Sequence, residues 1–281
     1  SSYYGLYYSD EPDNGYRNYM ELFLPSKKWN KEYIFARNQG TGYSDNIHQE
    51  KCMAANGMGG WSGLCPTQEL VDAYEMANGS TPIIGYNADG TPIINGASGY
   101  SETGFAATAG KHYPAGVYNM YVGREPRFYA SINFNGQQWR GRQLEFWQGG
   151  KDGINVSKVD YCCTGYLLRK TADEGVDVIN GKGGMKEASI LFRVGSLYLD
   201  YAEALNEAEG PVDDVYKYVD AIRKRAGLPG LAKGLDKDKM RERIQHERQI
   251  ELAFEAGHRY FDCHRWKIAE KTDNGYMHGM N

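Results

Sequence analysis

The chain has 281 residues, of which 41% are hydrophobic, and a formal net charge of −4 at pH 7. That length allows one large domain or two small ones. The apolar fraction supports a real core, and the acid excess excludes a general nucleic-acid binder, which would carry a basic surplus. The unusual counts are 23 Tyr and 35 Gly. Tyrosines among glycine-rich loops suit a surface that binds polar, flat-faced ligands, although pinning of loops accounts for most of them.

In chain order, residues 1 to about 30 form a predicted helix. Tyr16, Tyr19, Met20 and Phe23 recur at helical spacing and Pro25 ends the pattern. A short extended piece follows at Tyr33-Ile34-Phe35, then a glycine-rich loop over 38–65 containing Trp61. Pro66 to Gly79 is a short helix capped by Thr67. Residues 80–118 are irregular, and a stretch that long is usually functional. Glu125 to Trp139 is predicted as strand, turn at Asn135-Gly136, and strand, with Arg127 as a charged anchor at its start. Residues 147–185 are again glycine-rich, with a strand-like segment at 164–170.

The last hundred residues change character. Leu191, Val194, Leu197, Tyr198, Tyr201, Ala202 and Leu205 give an amphipathic helix over 190–210, and a second spans 212–230, closed by Gly227 and Pro229. Together they predict an antiparallel hairpin resembling one tetratricopeptide-like unit, which normally stacks on others. A third helix, over 236–258, carries Glu247, Glu251 and Glu255 four residues apart. Like charges at that spacing repel. Arg223 and Arg225 end the second helix, and the three glutamates are expected to meet them across the helix interface, where bidentate pairs suit partly buried positions.

Enzyme signatures are weak. His246-Glu247 lacks the second histidine of a helical zinc motif. Asp262 and His264 sit two apart on a helix and do not face each other. There is no G-x-S-x-G and no P-loop, and Asp89-Gly90 is a turn rather than a calcium loop. No catalytic residue, metal ligand or cofactor is assigned. The five cysteines, Cys52, Cys65, Cys162, Cys163 and Cys263, contain no C-x-x-C pair, which argues against zinc. Cys52 and Cys65 can bridge one loop in an oxidising compartment. There is no signal peptide and no apolar run long enough to cross a bilayer. The abrupt, polar ends suggest a fragment, so a targeting segment can lie outside the chain. Binding is better supported than catalysis. Trp29, Tyr43, Trp61, Tyr86, Tyr113, Tyr118, Trp139 and Trp147 are candidate stacking faces for sugar rings.

Six stretches occur in a telling order: CPTQELVDAYE (65–75), GREPRFYASINFNGQQW (123–139), TGYLLRK (164–170), LFRVGSLYLDYAEALNEA (191–208), AIRKRAGLPGL (221–231) and ERQIELAFEAGHRYFDCHRWK (247–267). Together they resemble the SusD/RagB family of outer-membrane nutrient-binding lipoproteins, over most of the chain from about Trp29 to Lys267. The resemblance implies a mainly α fold, with tetratricopeptide-like helix pairs and a loop-rich lobe with short β-hairpins. The lobe would be 29–185 and the helical portion 190–267, the chain as a whole being the C-terminal portion of one such domain. It implies a non-catalytic, cell-surface glycan-binding protein, lipid-anchored to the outer membrane through a segment outside this chain. Its partners would be an oligosaccharide or polysaccharide and a SusC-like TonB-dependent transporter. The alternatives are a peptide-binding member of the same family and, behind it, a glycan hydrolase. Ligand-contacting aromatics of the family lie in variable loops, so none transfers by position. The shared motifs are expected to be structural: Glu251, Arg223 and Arg225 holding helices, Arg127 holding a strand.

Overall fold

The computed structural model describes residues 3–11, 14–24, 30–38, 43–155, 159–182, 188–255, 257–274, 277 and 279. The elements run α1 (Asn14–Phe23), β1 (Tyr33–Asn38), α2 (Tyr43–Met53), α3 (Gln68–Ala73), β2 (Ile83–Tyr86), β3 (Pro92–Ile94) and α4 (Pro126–Ser131). They continue with β4 (Ile132–Asn133), β5 (Gln138–Trp139), β6 (Arg142–Gln143), β7 (Leu167–Leu168), β8 (Ala188–Arg193), α5 (Val194–Glu209), α6 (Asp213–Arg225), α7 (Lys237–Glu251), α8 (His258–Arg265) and α9 (Ala269–Thr272). The fold is mainly helical, with its few short strands paired two by two. Two compact units result. The first comprises 1–22, 27–38 and 188–276, and the second 23–26, 39–187 and 277–281.

In the first unit β1 and β8 pair antiparallel, Tyr33 opposite Arg193 and Ala36 opposite Ile190, with irregular register between. The chain passes from β8 directly into α5. Val215, Tyr216, Val219 and Ile222 form one face of α6, the i, i+1, i+4, i+7 stripe that helix geometry demands. Val215, Tyr216 and Val219 join Ala202 of α5 and Met240 and Ile244 of α7 in one core cluster, while Ile222 joins Leu6, Val194, Leu199 and Leu252 in a second. Asp213 and Asp214 open α6, and Arg223, Lys224 and Arg225 close it, each sign at the helix pole that favours it. The Asp236 side chain caps α7 by accepting from the Lys239 N–H at 2.8 Å.

The second unit is built on aromatic packing. Tyr74, Tyr121, Phe128, Phe134 and Tyr166 are fully buried, with ring centroids 4.4 Å apart for Tyr121–Phe134 and 5.4 Å for Phe128–Phe134. Arg124 lies 5.0 Å from the Phe128 ring and donates to the Tyr74 and Met120 carbonyls at 2.8 and 3.1 Å. Its charge is thereby satisfied inside the core by carbonyl dipoles and a π face.

The structure corrects several local expectations. Residues 3–11 are not helical, and α1 begins only at Asn14. The stretch 38–65 contains α2, which sequence periodicity misses because its inward positions are Ile47, Glu50 and Met53, with an acid in the middle. The helix after Thr67 stops at Ala73 rather than Gly79. Tyr74 turns extended, and Met76 pairs with Arg124 in a β-bridge. Glu125 to Ser131 is not a strand. Pro126 occupies the first turn of α4 with Glu125 at its N-cap, the position where a missing N–H costs nothing. Arg127 therefore belongs to a helix, where its Nε donates to Glu125 Oε2 at 2.7 Å. The strand that follows, β4, pairs with β7 rather than closing a hairpin across Asn135-Gly136. The tight hairpin is β5–β6, turning through Arg140 and Gly141 at φ of 47° and 84°, as a two-residue turn with both φ values positive requires. No helix among the described residues is long and apolar enough to cross a membrane.

Candidate functional site

The acidic stripe of α7 forms part of a buried charge network inside the first unit. Arg223 Nη1 donates to Glu247 Oε2 at 3.0 Å, and its Nε donates to the Pro229 carbonyl at 2.9 Å. Arg225 pairs with Glu251 through Nη2 and grips both oxygens of Glu32 through Nη1, at 2.8 and 2.7 Å. Glu255 is held from a third direction. Arg193, at the end of β8, forks onto it with Nε–Oε2 and Nη2–Oε1 both 2.8 Å, and also reaches Glu32 and Glu251 at 2.8 and 2.9 Å. Glu32 and Arg193 are the members that sequence spacing does not reveal, because they come from segments 161 residues apart. Burial opposes the Arg193 charge, but the carboxylates of Glu255, Glu251 and Glu32 outweigh it and hold its pKa well above the usual arginine value. These groups are buried and bond one another, tying β8, α6 and α7 together.

The aromatic and charged cluster after α7 is wired in the same way. Arg248 forks onto Asp262 at 2.9 and 3.1 Å, Arg265 Nε donates to the same carboxylate at 2.9 Å, and Trp266 Nε1 donates to Glu203 at 2.7 Å.

The second unit offers an open cleft of about 610 Å³. Three segments line it: Gly57 and Met58, the hairpin turn Arg140–Arg142, and residues 174–179. Gly57 must be glycine, since a Cβ there would lie 2.5 Å from the Lys151 carbonyl oxygen and 2.6 Å from Asp152 Oδ1. Arg142 is locked by a bidentate pair with fully buried Asp152, both bonds 2.6 Å, and that pairing raises its pKa. Arg140 pairs with Glu50 of α2 and donates to the Asp173 carbonyl at 2.8 Å, while the Asp173 N–H donates to the other oxygen of Glu50 at 2.8 Å. Burial nevertheless raises the Glu50 pKa. On the rim, hydrogen bonds from the Asn180 side chain and backbone lower the Asp177 pKa, so this carboxyl is ionised at neutral pH and has no proton to give as a general acid. Among the described residues no group of three or more His, Cys, Asp or Glu side chains could hold a metal ion.

The turn that brings Gly57 and Met58 to the cleft also raises Trp61, which is 37% exposed. Its N–H donates to the Lys51 carbonyl at 2.6 Å. One side of the indole stacks on His48 of α2, with centroids 5.4 Å apart and planes at 23°, and Lys51 Nζ lies 5.5 Å from its ring centroid. The Trp61 ring is thus fixed before any ligand arrives, which lowers the entropy cost of binding. Ser62, the next residue, has φ of 50° and donates its N–H to the Ala54 carbonyl at 3.0 Å, so the turn is held at its backbone as well.

The other aromatic candidates fall in different settings. Tyr86 is 43% exposed, and its hydroxyl donates to Asp72 Oδ2 at 2.8 Å. Tyr118, 37% exposed, pairs with exposed Phe105 at 4.6 Å. Tyr113 is half-buried and stacks on buried Tyr129 at 6.1 Å. Tyr43 opens α2, but its side chain lies outside the described residues, as does Trp29 altogether. Trp139 is buried in the core with Leu144 and Phe146, whereas Trp147 is exposed. Sequence reasoning did not single out Arg140, Arg142 or residues 174–179. Gly141 supplies one of the two positive φ values of this turn, but Arg140 is not a residue that marks one in sequence.

Comparison with known proteins agrees with this architecture. A SusD-like protein of Bacteroides fragilis is 32% identical, with a TM-score of 0.70 over 94% of this chain and 49% of its own. A SusD-like carbohydrate binding protein of the same species is 24% identical, also with a TM-score of 0.70, over 93% of this chain and 47% of its own. SusD-like protein P25 of Formosa agariphila is 42% identical over 82 residues, 28% of this chain and 15% of that protein. This chain spans about half the length of the two solved structures it matches. Residues 25–281 match the SusD family, and the chain belongs to that family.

Proposed function

We propose that this chain is part of a non-catalytic glycan-binding protein of the bacterial cell surface, with Trp61 as its main stacking face and the adjoining cleft as the polar part of its site. The observation that carries the reading is the fixed, partly exposed Trp61 indole on the turn that also lines the open cleft. A sugar ring presents C–H groups to an indole and hydroxyls to its rim, where Glu174 and Asp177 supply acceptors and Arg142, 25% exposed, supplies N–H donors. Tyr86 and the Phe105–Tyr118 pair are secondary faces, and Trp29 and Tyr43 stay on the candidate roster. The proposal includes a setting that family membership supports: lipid anchoring to the outer membrane, and delivery of the glycan to a SusC-like TonB-dependent transporter.

A site that must release its cargo binds weakly, with dissociation constants of roughly micromolar to millimolar, about −4 to −8 kcal/mol. The test is affinity-gel retardation and titration calorimetry of the full-length protein against a polysaccharide panel, beside Trp61→Ala and Tyr86→Ala. Retardation by one glycan class, with affinity falling roughly tenfold or more in Trp61→Ala, about 1.4 kcal/mol, supports the reading. Peptides co-purifying with a protein that no glycan retards would replace it with peptide binding. Release of reducing ends from the bound glycan would replace it with hydrolysis.

A further inference from the structure

The thiol brought against Cys65 is not Cys52. The Cys65 sulfur turns toward Cys162, with the two Sγ atoms 3.9 Å apart across 97 residues of sequence, while Cys52 meets this turn through its carbonyl, which accepts the Gly63 and Leu64 N–H groups at 2.8 and 3.1 Å. We propose that Cys65 and Cys162 form a disulfide in the oxidised protein, and that this bond pins the turn carrying Trp61 to the segment leading into strand β7. The surroundings are already aligned. Leu168 of β7 donates to the Leu64 carbonyl at 2.9 Å, the Cys162 sulfur contacts the Tyr166 carbonyl at 3.1 Å, and Cys65 packs against the core cluster that contains buried Cys162. A disulfide needs sulfurs about 2.0 Å apart, so side-chain rotation has to close roughly 1.9 Å, with the flanking backbone hydrogen bonds already in place.

The two thiols are unequal in a way that suits stepwise oxidation. Cys65 is half-exposed and Cys162 buried. Hydrogen bonding with Cys162 and backbone N–H groups at Cys163 and Thr164 draw the Cys65 pKa down to about 6, whereas the contact with Cys65 and then burial push Cys162 up. The oxidant class is a disulfide, on another protein or on glutathione. The Cys65 thiolate attacks one of its sulfurs, and the other leaves as a thiolate that takes up a proton. Cys162 then gives up its proton and attacks the Cys65 sulfur of the mixed disulfide, expelling the second thiol. In balance, two protein thiols and one disulfide become one protein disulfide and two thiols. The oxidising setting rests on the surface location proposed above, while the pairing chemistry does not.

The test equilibrates the purified protein with glutathione buffers from reduced to oxidised, quenches in acid, alkylates free thiols and maps the peptides by mass spectrometry. The expected product is one intramolecular link, Cys65 to Cys162, with Cys52, Cys163 and Cys263 alkylated. Cys65→Ser and Cys162→Ser should each abolish it, and amide exchange over 56–65 should slow on oxidation in the parent protein but in neither variant. A Cys52–Cys65 link, or Cys65 and Cys162 both alkylated in folded protein under oxidising buffer, overturns the proposal. A link that forms without slowing exchange overturns its pinning role. Mapping of the parent protein decides the pairing even if a variant fails to fold, and no glycan enters the readout.

Discussion

At the scale of single residues, two buried carboxylates behave in opposite ways. Glu251 accepts from both Arg193 and Arg225 with its side chain fully buried. Glu251→Ala leaves two guanidinium groups short of an acceptor in the interior, and breaking such a pair from one side costs about 3–5 kcal/mol. Urea denaturation should show that loss, while glycan affinity of the folded variant stays unchanged. Full stability combined with lost binding would instead make Glu251 part of the site. Asp72 is the reverse case. Burial raises its pKa against the hydrogen bonds from Gln68 and Tyr86 that lower it. A carboxyl whose folded pKa exceeds its unfolded one binds more protons when folded, so its contribution to stability falls as pH rises through that interval. Asp72→Asn keeps an acceptor for the Tyr86 hydroxyl and removes the charge. Its melting temperature relative to the parent should therefore be more favourable at about pH 8 than at about pH 5. A difference that is flat or falls with pH would show that the charge is not penalised.

At the scale of elements, the start of α5 is where strand, helix and charge network meet. Arg193 ends β8, and Ser196 Oγ donates back to its carbonyl at 2.7 Å. A Cβ on Gly195 would lie 2.1 Å from Arg193 Nη1 and 2.9 Å from Glu32 Oε1. A surface arginine would swing aside, but this one is tied to three carboxylates. Gly195→Ala should therefore cost about 1–3 kcal/mol, an overpacking penalty, despite the better helix propensity of alanine. A neutral or stabilised variant would show that the network yields easily.

At the scale of the whole molecule, the net charge of −4 and the local pairing of arginines both bear on partners. Arg124, Arg127, Arg193, Arg223 and Arg225 are among the largest fully buried side chains. These five of the 32 Lys and Arg are internal and cannot neutralise phosphates, and the remaining cations are outnumbered by 36 Asp and Glu, so the protein should pass through heparin and DNA columns at near-physiological salt. Retention that weakens with added salt would reveal a basic patch. Each unit has its own interior, one of helix faces with a charge network and one of stacked aromatics, so hydrogen exchange should be slowest along α5–α7 in the first and around Tyr121 and Phe128 in the second.

The sequence by itself determined the elements whose signal is local. Helices α5, α6 and α7 follow from apolar spacing and punctuation within fifteen or so residues, which leads one to expect the α7 glutamates opposite the arginines that close α6, while the register, Arg223 with Glu247 and Arg225 with Glu251, comes from the packing of α6 on α7. Glu125 to Ser131 misled because its alternating apolar residues resemble a strand, while Pro126 in the first turn makes it a helix. Only the tertiary structure decided what depends on distant segments. It gave Glu255 to Arg193, turned Cys65 from Cys52 to Cys162, and made α2 a helix through the contacts of Ile47, Glu50 and Met53. It also separated fixed, partly exposed Trp61 from packed Tyr113 and buried Trp139, which composition treats alike. The physical reason is common to all of these: periodicity encodes which face of a segment is apolar, whereas a partner across the fold is chosen by packing and charge once that face is buried.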